Sequence, residues 1–216
     1  MAATKIQTQQ AIKRALLRLD PSLRPAIHAL GLSARKRGRG QPYESLLSAI
    51  AHQQLHGNAA KAILTRLKAL NAGEFPSPDH LLSLSNAQLR ACGLSQSKIA
   101  AMQDLAQHAL TGHVPTRAAM RRLTDEQIIE RLVQIRGIGR WTVEMLLIFT
   151  LNRPDVLPVD DFGVREGFRW LTKAKKQPKP KELAAYGQRW APYRSEVALL
   201  LWAIADHAKK YKNVEF

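Results

Sequence analysis

A Gly-Ile-Gly turn at residues 137–139 is the sequence feature that most constrains the fold of this chain. Residues 135–142 read Ile-Arg-Gly-Ile-Gly-Arg-Trp-Thr, and apolar residues recur at helical spacing on both sides of the turn. Glycine has no Cβ and tolerates positive φ, so the pattern predicts two helices folded back on each other. The N–H groups at the start of the second helix then face an anion, which the helix dipole favours.

Helical periodicity runs through most of the 216 residues, and the alternation typical of strands is nearly absent. We therefore predict an all-α protein. Basic segments at 35–40 and 173–181 are predicted as loops that face either a phosphate backbone or only water. The predicted helices span residues 4–19, 43–55, 58–70, 86–92, 96–110, 124–135, 140–151, 161–171, 182–190 and 194–211.

The charge of the chain indicates its class of partner. Thirty-three Lys and Arg residues stand against 17 Asp and Glu, a formal net charge of +16. Such an excess favours nucleic acid, although a merely basic protein or one that binds acidic membranes stays open. The single cysteine, Cys92, excludes an internal disulfide framework, a cysteine-built zinc site and a four-cysteine iron–sulfur cluster. With no secretory signal and only short apolar runs, we expect an intracellular protein without a membrane partner.

Two adjacent carboxylates, Asp160 and Asp161, follow the glycine turn by about twenty residues. An anion-binding turn and a carboxylate in a basic chain indicate an enzyme that holds a phosphate backbone and reacts beside it. Taken from the residues alone, the two aspartates are equally consistent with a helix cap.

With these segments the chain resembles the helix-hairpin-helix DNA glycosylases. Among them it is similar to the alkyladenine type, 3-methyladenine DNA glycosylase II, in the compact form of yeasts and many bacteria. The matching segments are 53–56, 137–142, 155–161 and 190–202. The resemblance implies a two-lobed helical fold with the active-site cleft between the lobes. It implies one glycosylase unit over 1–216, with lobes at 35–155, containing the hairpin at 132–150, and at 1–34 plus 156–216.

The resemblance also implies which aspartate is catalytic. The family pattern places an aliphatic residue three positions, and a basic residue four positions, after that aspartate. Asp161, followed by Val164 and Arg165, fits the pattern, and Asp160 is then interpreted as the helix N-cap. Breaking an N-glycosidic bond develops positive charge on the sugar, which an ionised Asp161 would stabilise while it orients a water.

The base pocket implied by the resemblance contains Trp141, Trp202 and Met145. Trp141 stands where strand-cutting relatives carry a Schiff-base lysine, so we expect an abasic site as the product. A cationic purine such as 3-methyladenine or 7-methylguanine stacks well on an indole. Met145 and Ala203 replace pocket tyrosines of the long bacterial enzyme, and the lesion range therefore stays open.

Other residues are predicted to contact DNA or an ion. The wedge that fills the vacated stack, with its minor-groove neighbours, is predicted at Gln54, Leu55 and His56, although ordinary core and surface roles stay open. Ser195 is predicted either to contact a phosphate or only to cap a helix. The other predicted phosphate contacts are Gly137, Ile138, Gly139, Arg140 and Thr142. The resemblance also implies a structural Na⁺ or K⁺, with no required cofactor, at the backbone carbonyls of Val133, Ile135 and Ile138.

We therefore predict a monofunctional DNA glycosylase that excises alkylated purines in base excision repair, acting as a monomer on double-stranded DNA. One alternative is a bifunctional glycosylase and lyase for other damaged bases. Another is a non-catalytic protein that uses the hairpin to bind DNA structure. The expected location is the cytoplasm, with the nucleoid, in a bacterium, or the nucleus in a eukaryote.

Overall fold

The computed structural model describes residues 9–33, 38, 40–55 and 57–211, and all regular secondary structure in this part of the chain is helical. The all-α prediction is confirmed. Short 3₁₀ turns at Pro21–Leu23 and Gln188–Trp190 and a π-helical turn at Leu146–Thr150 join longer elements. The α-helices are α1 (Gln9–Leu19), α2 (Arg24–Leu30), α3 (Pro42–His52), α4 (Gly57–Ala69), α5 (Pro78–Ser83), α6 (Asn86–Ala91), α7 (Gln96–Leu110), α8 (Arg117–Met120), α9 (Asp125–Leu132), α10 (Arg140–Met145), α11 (Phe162–Leu171), α12 (Pro180–Gly187) and α13 (Arg194–Tyr211).

The sequence pattern did not predict α2, α5 and α8. Helix α2 carries proline in its first turn and α5 begins at Pro78, so both starts look like breaks in the sequence. Proline is tolerated there because the first N–H groups of a helix have no intrahelical partner. Helix α8 has only four residues, which is too short for a periodic pattern.

Two compact units make up the chain. Unit 1 comprises Met1–Lys36 and Asn152–Phe216, and unit 2 comprises Arg37–Leu151. The glycine turn belongs to unit 2, whereas the aspartate pair belongs to unit 1.

Unit 1 is built around the packing of α11 on α13. A side chain at Gly167 would overlap the backbone carbonyl of Leu201, so only glycine permits this approach. The core includes the fully buried Trp190, as expected of a packed tryptophan. Its indole Nε1 donates to Asp20 at 2.8 Å. Burial opposes the charged form of Asp20, but hydrogen bonds from Ser22 and Trp190 hold its pKa below the usual range.

Unit 2 is built around α7, which packs against α3 and α5. Ser95 caps α7, and Thr124 and Gln127 form a capping box at the start of α9. Cys92 is buried, and burial raises the pKa of its thiol. Within the described ranges, no helix is both long and apolar enough to cross a bilayer.

Candidate active site

Asp161 is the N-cap of α11, and two donors fix its carboxylate. Its Oδ1 atom accepts hydrogen bonds from the Val164 N–H and from the Trp202 indole Nε1, each at 2.8 Å. The interpretation of Asp160 as the N-cap was therefore wrong, because the side chain that caps α11 is that of Asp161.

Helix α13 anchors the loop that leads to Asp161. Near the start of this loop, Asp155 forms a bidentate ion pair with Arg194, with Nε–Oδ1 at 2.7 Å and Nη2–Oδ2 at 2.9 Å. Burial opposes the charge of Asp155, but the Arg194 guanidinium holds its pKa below the ordinary value. Since Trp202 lies two turns further along α13, the same helix holds the loop at both ends.

The Ser195 hydroxyl has a different role from the phosphate contact predicted for it. Ser195 is fully buried. Its hydroxyl donates to the Arg153 carbonyl at 2.7 Å and accepts from the Val156 N–H at 3.0 Å. The side chain therefore fastens the loop before Asp161 and presents no surface to a phosphate, which corrects the prediction.

Phe162 was missed by sequence reasoning. It follows Asp161 directly, and 69% of its side chain is exposed. An aromatic residue in the first turn of an amphipathic helix is usually taken as a core residue, so the pattern gives no signal of this exposure.

The glycine turn in unit 2 adopts the predicted tight geometry. Gly137 has a φ of +76°, and Gly139 is the N-cap of α10 with a φ of −93°. The first helical hydrogen bond runs from Val143 N–H to the Gly139 carbonyl at 3.2 Å. The backbone N–H groups of 140–142 therefore precede the intrahelical ladder, at the positive end of the helix dipole.

The Arg140 side chain forms ion pairs that the sequence did not predict. Its guanidinium binds Glu126 in a bidentate manner at 2.8 and 2.9 Å, and Nε lies 3.2 Å from Glu144. The hydrogen bonds with Glu126 raise the pKa of Arg140 and lower that of Glu126. Thr142 is buried as well. The side chains of Arg140 and Thr142 are therefore not available for the phosphate contacts predicted at these residues, and only their backbone N–H groups can make them.

Five of the predicted site residues share one cavity of unit 2. The cavity has a volume of about 770 Å³, within the range of ligand pockets. Trp141, at 48% exposure, gives it an accessible indole face. Lys98 also lines it, and burial lowers the pKa of its ammonium group. The predicted residues in the lining are Gln54, Gly137, Trp141, Thr142 and Met145.

The predicted wedge is partly described. Gln54 adopts a positive φ of 56°, and Leu55 follows it with 40% of its side chain exposed. His56 lies outside the described residues. An exposed leucine after a left-handed residue is compatible with insertion into a base stack, and the wedge role stays a prediction.

The carbonyls predicted to hold a monovalent cation lie in one six-residue segment. Val133 follows the last residue of α9 and is 36% exposed. The Ile135 carbonyl accepts the Ile138 N–H at 3.0 Å, which leaves one lone pair for an ion. Oxygen dipoles of this kind suit Na⁺ or K⁺, so the residues fit the predicted ion. Among the described residues, no cluster of His, Cys, Asp and Glu side chains could hold a metal.

Comparison with known proteins gives consistent matches. The sequence model of the HhH-GPD superfamily of base excision DNA repair proteins matches residues 47–192. DNA-3-methyladenine glycosylase 1 of Schizosaccharomyces pombe is 44% identical over 179 residues, which cover 81% of this chain and 78% of that protein.

Two solved structures extend the similarity to the fold. The S. pombe 3-methyladenine DNA glycosylase in complex with abasic DNA has a TM-score of 0.81 at 39% identity, covering 94% of this chain and 99% of that one. A Bacillus halodurans DNA-3-methyladenine glycosidase has a TM-score of 0.85 at 31% identity, covering 98% and 95%.

Proposed function

This chain belongs to the HhH-GPD superfamily of base excision DNA repair proteins, and from that membership we propose that it is a monofunctional DNA glycosylase for alkylated purines. Its substrate is duplex DNA that contains 3-methyladenine or 7-methylguanine. The name of the S. pombe relative, which covers four fifths of the chain, supports this substrate class. We propose a monomer as the active form because a single chain supplies all the predicted site residues.

The observation that carries the proposal is the fixed Asp161 carboxylate, held by Val164 N–H and Trp202 Nε1 at 2.8 Å. When the bond between C1′ and the purine nitrogen breaks, positive charge develops on the sugar. A carboxylate already oriented stabilises that charge without reorganisation, an effect worth several kcal/mol of barrier.

The leaving base needs no acid catalyst. An alkylated purine is a cation, so it takes both bonding electrons and leaves as a neutral base. Water adds to C1′, and its proton passes to Asp161. The exposed indole of Trp141 offers a stacking surface to the cationic base before it leaves.

The proposed contacts with DNA do not depend on the base sequence of the duplex. The hairpin N–H groups at 140–142 are suited to a phosphate, and the net charge of +16 adds attraction to the duplex. A repair enzyme that must scan all sequences needs this kind of contact.

Strand cutting would require an amine at C1′. Trp141 occupies the position where strand-cutting relatives carry lysine. The ammonium of Lys98 lines the same cavity, but its Nζ donates to the Ala51 carbonyl at 2.8 Å. Lys98 is therefore the candidate nucleophile for the bifunctional alternative, although its amine is already engaged in this hydrogen bond.

The test compares the native protein with Asp161→Asn and Lys98→Met on methylated duplex DNA, with released bases analysed without alkali. We expect free 3-methyladenine, intact strands, and a loss of single-turnover rate of about a hundredfold or more for Asp161→Asn, which removes the charge and keeps the shape. Duplex binding by Asp161→Asn should persist.

Each alternative has its own signature. Strand breaks that disappear in Lys98→Met would indicate a lyase, and duplex binding without base release would indicate a non-catalytic protein. Full activity of Asp161→Asn would overturn the assignment of the carboxylate.

A further inference from the structure

Gln53 links two parts of unit 2 that lie far apart in the sequence. Its amide Nε2 donates to the carbonyl of Gly137 at 2.8 Å, across 84 residues. Gln53 is the C-cap of α3 and begins the wedge loop, which we define as residues 53–55. Gly137 is the first glycine of the hairpin turn. A single side-chain hydrogen bond therefore joins the predicted wedge to the predicted phosphate-binding turn.

Helix α7 also holds the end of α3, through a contact that does not involve Gln53. The Lys98 Nζ donates to the Ala51 carbonyl at 2.8 Å, which satisfies one of the last carbonyls of α3. Beyond it, Gln54 adopts its positive φ and the Leu55 N–H donates to the His52 carbonyl at 3.2 Å. The wedge loop thus has a defined shape, and its tip carries the exposed Leu55.

The same helix also fixes the hairpin turn. Asp104 of α7 accepts the Arg136 N–H at 2.7 Å, immediately before the turn. A Cβ added at Gly137 would lie 3.2 Å from the Cβ of Ala101, so the turn packs closely against α7. Helix α7 therefore contacts both the end of α3 and the hairpin turn. The Gln53 hydrogen bond joins these two segments directly to each other.

We propose that Gln53 is a positioning residue that sets the distance between the hairpin's hold on a phosphate and the insertion of Leu55 into the base stack. This inference rests on the proposed glycosylase function. A duplex fixes the separation between a phosphate and its neighbouring base stack. A protein that binds the phosphate and inserts a side chain into the base stack therefore needs the same fixed separation between its hairpin and its wedge loop. A misplacement of about 1 Å can cost up to a hundredfold in rate.

The test removes the bond in two ways. Gln53→Met keeps the length of the side chain without a donor, and Gln53→Ala removes the side chain. Gln103→Ala is the matched control, because Gln103 also donates its Nε2 within unit 2, to the Asn86 Oδ1 at 3.2 Å, and lies outside both the wedge loop and the hairpin.

The substrate is a duplex that contains 7-methylguanine next to 2-aminopurine, whose fluorescence rises when the neighbouring base leaves the stack. Excision rate under single-turnover conditions, affinity for undamaged duplex and melting temperature are measured on the same samples. For both Gln53 variants we expect the fluorescence rise and the excision rate to fall about five- to tenfold, because this is the effect of losing one hydrogen bond. Affinity for undamaged duplex should stay within about twofold, and the control should match the native protein throughout.

Three outcomes would overturn the inference. They are an unchanged excision rate, a native rate in Gln53→Met alone, and an equal loss of excision and of affinity for undamaged duplex. The second would mean that packing matters rather than the bond, and the third that Gln53 serves binding only. If the native protein extrudes the base but releases none, the proposed function fails, while the fluorescence of the variants still tests Gln53.

Discussion

The two units hold their predicted functional groups in different ways. In unit 1 a charged side chain, Asp161, is oriented by another side chain, Trp202, from a helix about forty residues away. In unit 2 the groups predicted to bind phosphate are the backbone amides of 140–142, and side chains such as Asp104 only hold the turn that presents them. Stabilising positive charge at one sugar carbon requires a carboxylate in a fixed position, whereas binding a phosphate requires only the dipoles of backbone N–H groups. Side-chain changes should therefore be most costly in unit 1, and changes at glycine in unit 2.

Among the changes that test this comparison without altering Asp161 itself, the largest effect is expected from Trp202→Phe, which keeps an aromatic ring and removes the indole donor to Asp161. Because hydrogen bonds to charged groups contribute about 1.5–3 kcal/mol, the excision rate should fall about tenfold or more. The measurement is single-turnover excision with the melting temperature followed in parallel.

A matched control for this change lies in the same unit. Trp170 donates its Nε1 to the carboxylate of Glu166 at 3.0 Å, so Trp170→Phe removes the same kind of bond away from Asp161. Its excision rate should stay within about twofold of the native rate. Equal rates for the two variants would contradict the positioning of Asp161 by Trp202.

A smaller and different effect is expected from the two glycines of the turn. Gly137→Ala places a Cβ at a φ of +76° and near Ala101, so it should lower the free energy of unfolding by about 1–2 kcal/mol. Gly139→Ala meets no atom within 4 Å and has an ordinary φ, so it should lower stability less. Its Cβ would stand where a phosphate approaches the amides, and duplex affinity should fall about fivefold.

Urea unfolding and a duplex-binding titration separate these two roles. If Gly139→Ala binds duplex as tightly as the native protein, the turn is not the phosphate site.

The smallest effect concerns two ion pairs, Arg194 with Asp155 in unit 1 and Arg140 with Glu126 in unit 2. Arg194 holds the pKa of Asp155 below its unfolded value, so the pair adds stability above about pH 4, which is lost as the pH falls through the folded pKa. Acidification from about pH 5 to 3 should therefore destabilise the native protein more than Asp155→Asn, by about 1 kcal/mol.

Glu126→Gln provides the comparison in unit 2. The pair between Glu126 and Arg140 is about half exposed, so its removal should change the acid dependence very little. Unfolding curves at each pH check both variants, and equal curves for native protein and Asp155→Asn would refute the anchoring role of that pair.

Several elements could be read from local sequence alone. The helix start at Thr124, the glycine turn and the periods of α7 and α13 depend on residues within a few positions of each other, and all were predicted. Helices α2 and α5 were missed because proline in a first turn looks like a break. The assignment of the N-cap to Asp160 failed because either neighbour satisfies the same local pattern.

The site was only partly predictable. The resemblance to the family identified Asp161 as a candidate, but not the Trp202 donor that orients it. Nothing near Arg140 in the sequence indicates that its guanidinium binds Glu126, and no pattern marks Lys98. The matching segment 53–56 contains Gln53 but does not indicate its bond to Gly137. The Ser195 hydroxyl, predicted at a surface, is buried because the Arg153 and Val156 backbone closes over it.

The amino-acid sequence by itself determined the helical class, the glycine turn and the basic charge, since each follows from composition or from neighbouring residues, and its motifs carried the resemblance to the family. The tertiary structure alone decided that Trp202 orients Asp161, that Glu126 pairs with Arg140 and that the Gln53 amide ties the wedge loop to the hairpin. These contacts join residues from 14 to 84 positions apart. Only packing can bring such groups within hydrogen-bond distance, because the strength and direction of each bond depend on the final distance between its atoms.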